Sequence, residues 1–118
     1  MSFQRRVVEW LRACFPTSSV NDQQERMHRF LEESLELAQA AGCSKREALE
    51  LVDYVFAREV GNRRQEVGGV MVTLAGLCHA MQIDLDEAAE AELDRNWRRI
   101  ELIRAKQANR RPNSALPQ

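Results

Sequence analysis

What this chain of 118 residues has little of is punctuation: it contains five glycines and three prolines. Collagen-like and Pro/Gly-rich disordered chains carry far more of both, so those classes are excluded. Its three cysteines, Cys14, Cys43 and Cys78, are odd in number and lack any CxxC spacing. They exclude a disulfide framework and a thiolate zinc site, and read as buried thiols of a reducing cytoplasm. No apolar run approaches the ~20 residues of a membrane span, so no membrane partner is expected. The N-terminal MSFQRRVVEW has neither a long apolar core nor a small-residue cleavage site, so a secretory leader is not expected. Excess charge is missing too: 17 Lys and Arg against 18 Asp and Glu leave a net −1. That balance excludes global attraction to nucleic acid, and an anionic ligand must be held by a local site or a bridging cation.

What is present is 44% hydrophobic and 30% charged residues in helical spacing. Ser2 caps a short helix through about Cys14, with Val7, Val8, Leu11 and Phe15 on its apolar side. Pro16 ends it, and residues 17–19 form a loop. Asn21 is the expected N-cap of a second helix, with Gln24 at the capping-box position and Gly42 as its stop. Phe30, Leu31, Leu35, Leu37 and Ala38 form its buried stripe. Ser44 and Glu47 make a capping box for a third helix, about 45–57, carrying Leu49, Val52 and Phe56. After a turn at 60–62, a fourth helix, about 63–81, holds the run VGGVMVTLAGLCHAM. It is apolar on nearly all sides, which places it at the centre of a bundle or at a subunit interface. Asp84 caps the last helix, 85 to about 107, with Glu87 in the capping-box position. No strand alternation is sustained anywhere. The expectation is an all-α bundle of four to five helices in one domain, residues 1–108 with a core of about 21–107. A flexible tail, 109–118, follows.

The second helix poses a chemical question. Glu32, Glu33 and Glu36 fall within about one turn, and like charges at such spacing repel by a few tenths of a kcal/mol. Arg29 offsets part of this, but positions 37–40 are Leu, Ala, Gln and Ala. A solvated acidic face is the ordinary explanation. A hard divalent cation is the functional one, because Mg²⁺ and Mn²⁺ prefer carboxylate oxygen and keep room for water or phosphate. Further acids recur: Glu50 and Asp53 as an ExxD pair, Glu66 at the start of the apolar helix, and Asp94. Glu66 either points into a pocket or exploits the helix N-terminus, where the dipole favours a carboxylate. Gly68 and Gly69, each costing roughly 1 kcal/mol against Ala in a helix, suit close helix packing or room for a flat ligand.

Taken together, the motifs resemble the MazG-type all-α nucleoside triphosphate pyrophosphohydrolases. That superfamily carries EExxE on one helix and ExxD on a later one, in a four-helix core that binds Mg²⁺ and the triphosphate. Glu32-Glu33-Ser34-Leu35-Glu36 matches the first motif in full. Glu66-Val67-Gly68-Gly69 resembles the second, except that Gly69 stands where an Asp is expected. Asp94-Arg95-Asn96, with Arg98 and Arg99, resembles the late-helix segment that contacts nucleotide, although Glu92 stands where a Lys is common. The resemblance spans about residues 25 to 106. It implies metal binding by Glu32, Glu33, Glu36 and Glu66, with Asp53 supplying the carboxylate absent at Gly69. It also implies phosphate or sugar contacts from Asp94, Asn96 and Arg99. The glycine pair and the LVDYVF segment resemble the MazZ-like branch, associated with dATP and dGTP.

The implied reaction is hydrolysis of a nucleoside triphosphate, with Mg²⁺ or substituting Mn²⁺, to monophosphate and pyrophosphate. The apolar fourth helix adds the expectation of a cytoplasmic homodimer or homotetramer. Two other classes stand beside this reading. One is a non-catalytic helical oligomerisation protein that has lost the metal-binding Asp. The other is a nucleic-acid accessory using Arg98, Arg99, Arg104, Lys106, Arg110 and Arg111, which the near-neutral charge and scarce aromatics argue against.

Overall fold

Five helices of this chain begin where a short polar side chain, Ser2, Asp22, Ser44, Asn62 or Asp84, accepts a hydrogen bond from an otherwise orphaned amide. The computed structural model describes residues 1–117, and among them there are seven α-helices and no strand. They are α1 (Phe3–Cys14), α2 (Thr17–Val20), α3 (Gln23–Ala40), α4 (Lys45–Phe56), α5 (Arg63–Ala80), α6 (Leu85–Arg98) and α7 (Ile100–Ala108). The chain is all-α. No single helix is long and apolar enough to cross a membrane.

Three expected caps form, at Ser2, Ser44 and Asp84, and Asn62, read only as part of a turn, makes a fourth. The Ser2 hydroxyl accepts from Arg5 N–H, the Asn62 amide oxygen from Gln65 N–H, and the Asp84 carboxylate from Glu87 N–H at 2.8 Å. Ser44 and Glu47 form the reciprocal capping box, at 3.1 and 2.9 Å. Three boundaries differ from the sequence reading. Residues 17–20 form a helical turn instead of a loop, closed by Val20 N–H and Asn21 N–H donating to Pro16 and Thr17 carbonyls. That turn consumes Asn21, so Asp22 is the N-cap of α3 and accepts from Glu25 N–H at 3.1 Å. The last helix is broken at Arg99, where φ −107° and ψ 18° leave the helical region.

Helices α3 and α5 end alike. Gly42 takes φ +100° after α3, and Gln82 takes φ +59° after α5. Ile83 N–H then donates to the Cys78 carbonyl at 2.9 Å, the long bond of a Schellman closure.

The chain divides into two compact units, one of Met1–Gly42 with the chain from Leu93, the other Cys43–Glu92. In the first, α1 packs on α2 and α7. Arg104 donates to the Ala13 carbonyl, one of the last free carbonyls of α1, and Gln107 donates to the buried Ser19 hydroxyl at 3.2 Å. Trp10 and Phe15 meet edge to face at 5.9 Å, and the Arg26 guanidinium lies 5.2 Å over the Phe15 ring. Val7, Val8, Leu11 and Phe15 are half-buried, as their spacing requires. Burial pushes the Cys14 thiol up, with Arg104 opposing it.

Two expected stripes are not covered within one chain. On α3, Phe30, Leu31 and Leu35 are about half exposed, and on α4 Leu49, Val52 and Phe56 are exposed. The apolar α5 was expected at the centre of a bundle or at a subunit interface; within one chain it is not central, since its Val67, Val70, Met71 and Val72 are all exposed, Val72 to 73%.

Candidate functional site

In the first unit, α3 presents the three clustered carboxylates. Glu33 and Glu36 are exposed, and Glu32 is half-buried. The helix brings Glu32 and Glu36 one above the other, as the (i, i+4) spacing dictates. Arg29, one turn earlier, lies 3.8 Å from Glu32 through its Nε, which offsets part of the repulsion in the row. Ser34, between the acids, turns its hydroxyl back to the Phe30 carbonyl at 2.9 Å and so is taken up by the helix itself.

The late-helix residues belong to the same unit. Asp94 is exposed near the end of α6, and Asn96 is half-buried. Arg99 occupies the break before α7, where its N–H donates to both the Arg95 and Asn96 carbonyls, at 3.1 and 3.2 Å.

The second unit holds Asp53, exposed on α4, and Glu66, in the first turn of α5. Glu50, the partner of Asp53 in the ExxD pair, is paired with Arg46 at 3.3 Å on an exposed face. Glu66 folds its carboxylate back over Gly61: a Cβ built on that glycine would stand 2.7 Å from Glu66 Oε2. Of the two expectations for Glu66, the helix N-terminus is the one it adopts, near the dipole's positive end. Gly68 and Gly69 have no atom within 4 Å of where a Cβ would stand, so neither serves packing within the chain.

Among the described residues, no group of three or more His, Cys, Asp and Glu side chains is close enough to hold a metal ion. The donor chemistry nonetheless suits Mg²⁺, which commonly takes one or two protein carboxylates and completes its shell with waters and substrate phosphate. Glu32 and Glu36, one turn apart, are such a pair.

One charged cluster carries no sequence signal. Glu25, in the first turn of α3, is 2% exposed and lies against Arg29 at 3.6 Å and Arg110 at 2.5 Å. Burial pushes the adjacent Arg26 guanidinium down from its usual range; Glu25 opposes this, and Arg29 and Arg110 add to it. An acid at that position reads as an ordinary dipole-favoured residue, and its partner comes from the segment taken for a tail. No family model, curated protein or solved structure matches the chain.

Proposed function

We propose that the chain is a metal-dependent nucleoside triphosphate pyrophosphohydrolase of the MazG-like type, acting on purine deoxynucleoside triphosphates as a homodimer or homotetramer. The observation that carries the reading is the row Glu32, Glu33 and Glu36 on α3, two of them exposed, with no Lys or Arg in the four positions after Glu36. Its order before Glu66 and Asp94 supports the same reading.

Glu32, Glu33 and Glu36 of α3 would supply carboxylates to the metal; Glu66 and Asp53 are the further acids that the resemblance assigns to it, Asp53 in place of the carboxylate absent at Gly69. Bound Mg²⁺ supplies charge neutralisation for the triphosphate and lowers the pKa of a bound water. The protein's own part is to orient the phosphates, with Asn96 and Arg99 at phosphate or sugar. A Glu accepts a proton from the attacking water, which adds to a phosphorus in line as the phosphoanhydride bond breaks. The balance is one water consumed, with monophosphate, pyrophosphate and one proton released.

A pyrophosphate-release assay over the common nucleoside triphosphates with Mg²⁺ or Mn²⁺ tests this. Turnover concentrated on dATP and dGTP is expected, and Asp53→Asn should lower both activity and metal affinity. A folded chain that turns over none of them refutes the enzyme. The second reading, a non-catalytic helical interaction protein, is favoured by the exposed apolar residues of α4 and α5 and then accounts for oligomerisation alone.

A further inference from the structure

Four side chains of alternating charge run from the C-terminal segment to the acidic row of α3: Arg110, Glu25, Arg29 and Glu32. A carboxylate as buried as Glu25 is tolerated only with opposite charge beside it. Two guanidiniums share it, Arg110 Nε 2.5 Å from one oxygen and Arg29 Nε 3.6 Å from the other. Arg29 is shared in turn: its Nε is 3.8 Å from Glu32, and its terminal nitrogen donates to the Ala115 carbonyl. Arg26 and Asp22 add one charge of each sign to the same cluster. Sharing makes the pairs compete. Whatever Glu25 gives to Arg110 it withholds from Arg29, and the attraction left to Arg29 falls on Glu32.

We propose that docking of segment 110–115 on α3 is passed along this row, so that the chain's own C-terminal segment sets how firmly Arg29 holds Glu32. With Arg110 in place, Glu25 is neutralised and Arg29 stays with Glu32. With Arg110 withdrawn, Arg29 turns to Glu25, and the Glu32 carboxylate is released to a cation. The consequence for metal rests on the proposed function, in which Glu32 is a ligand, and adds a brake to it. Arg110, Glu25 and Arg29 are positioning residues that act through Glu32.

The test uses the full chain with Arg110→Met, Glu25→Gln and both together, folded state being checked by circular dichroism. Mn²⁺ affinity is read from the free-ion electron paramagnetic resonance signal, and the Arg29 Nε–H resonance by NMR. Arg110→Met should tighten Mn²⁺ about threefold, the size expected of one partly exposed ion pair. The gain should vanish in the Glu25→Gln background, and Arg110→Lys should retain the wild-type affinity. The Arg29 resonance should move in Arg110→Met only while Glu25 is present. An unmoved resonance overturns the proposal whatever Mn²⁺ does, as does equal tightening with and without Glu25. If wild type binds no Mn²⁺ while the Arg29 resonance moves as described, the metal reading of α3 fails and the charge row stands.

Discussion

Between Cys43 and Glu92, Cys78 is the one buried residue among those described, whereas the rest of the chain buries Cys14, Ser19, Glu25 and Leu93. The two units are helical for different reasons. In the first, side chains distant in sequence meet: Arg104 on Ala13, Gln107 on Ser19, Arg110 on Glu25. In the second, helicity comes from local devices, the Ser44–Glu47 box, the Asn62 cap and the Asp84 cap. Local devices alone leave a helix of 12 residues such as α4 marginal in water, and packing of an apolar face supplies most helix stability in proteins. Exposed Leu51, Val55, Phe56 and Val72 are such a face without a cover in one chain. The second copy in the proposed oligomer is what would cover it.

That contrast can be broken most forcefully at Val72. Under a covering copy, Val72→Asp buries an unpaired carboxylate, costs more than ~3 kcal/mol, and shifts light scattering from oligomer to monomer. If Val72 faces water in solution as it does in one chain, the change stays within about 0.5 kcal/mol. Next in size is Glu25→Ala, which takes the buried carboxylate from Arg110 and leaves Arg29 with Glu32 as its acidic partner, and should cost about 3 kcal/mol in urea unfolding. The exposed Arg46–Glu50 pair of the second unit should give less than about 0.5 kcal/mol in the same measurement.

The matching helix ends of α3 and α5 sharpen the comparison further. Gly42→Ala forces a Cβ into the left-handed region and should cost about 1 kcal/mol, while Gln82→Gly should gain about 0.5–1 kcal/mol. Thermal unfolding of the two variants reads both signs. The smallest effect is electrostatic. Hydrogen bonds from the Ser44 N–H and hydroxyl hold the Glu47 carboxyl below its usual value. A depressed carboxylate stabilises the fold above its unfolded value of about 4.3, and that share is lost as pH falls through the folded value. The protection of the amides in the first turn of α4, taken relative to their intrinsic exchange rates, should fall on acidification, and Ser44→Ala should remove that fall.

The caps at Ser2, Ser44 and Asp84 were legible because each depends on residues three apart, whereas Asn62 reads in the sequence only as part of a turn. Asn21 misled by one position, since its N–H closes the turn of α2 and leaves Asp22 to cap α3. The break at Arg99 has no glycine or proline to announce it. The half-buried side of α1 was readable from its spacing. The stripes of α3, α4 and α5 have the periodicity of buried faces, yet periodicity does not say whether cover comes from the same chain. For the candidate site, the α3 row follows from the sequence, and the place of Glu66 at a helix N-terminus was one of two expectations, while its turn over Gly61 was not foreseen. The burial of Glu25 was not readable, because its Arg110 partner lies far along the chain in a segment without periodicity.

The most direct test of the enzymatic claim is product analysis by phosphorus NMR of dATP with Mg²⁺, for the native chain and for Glu36→Gln. Glu36 is exposed, so the variant should keep its fold. The account predicts dAMP and pyrophosphate from the native chain, and a rate about 100-fold lower from the variant. Hydrolysis at equal rates, or ADP-type products with inorganic phosphate, would contradict it.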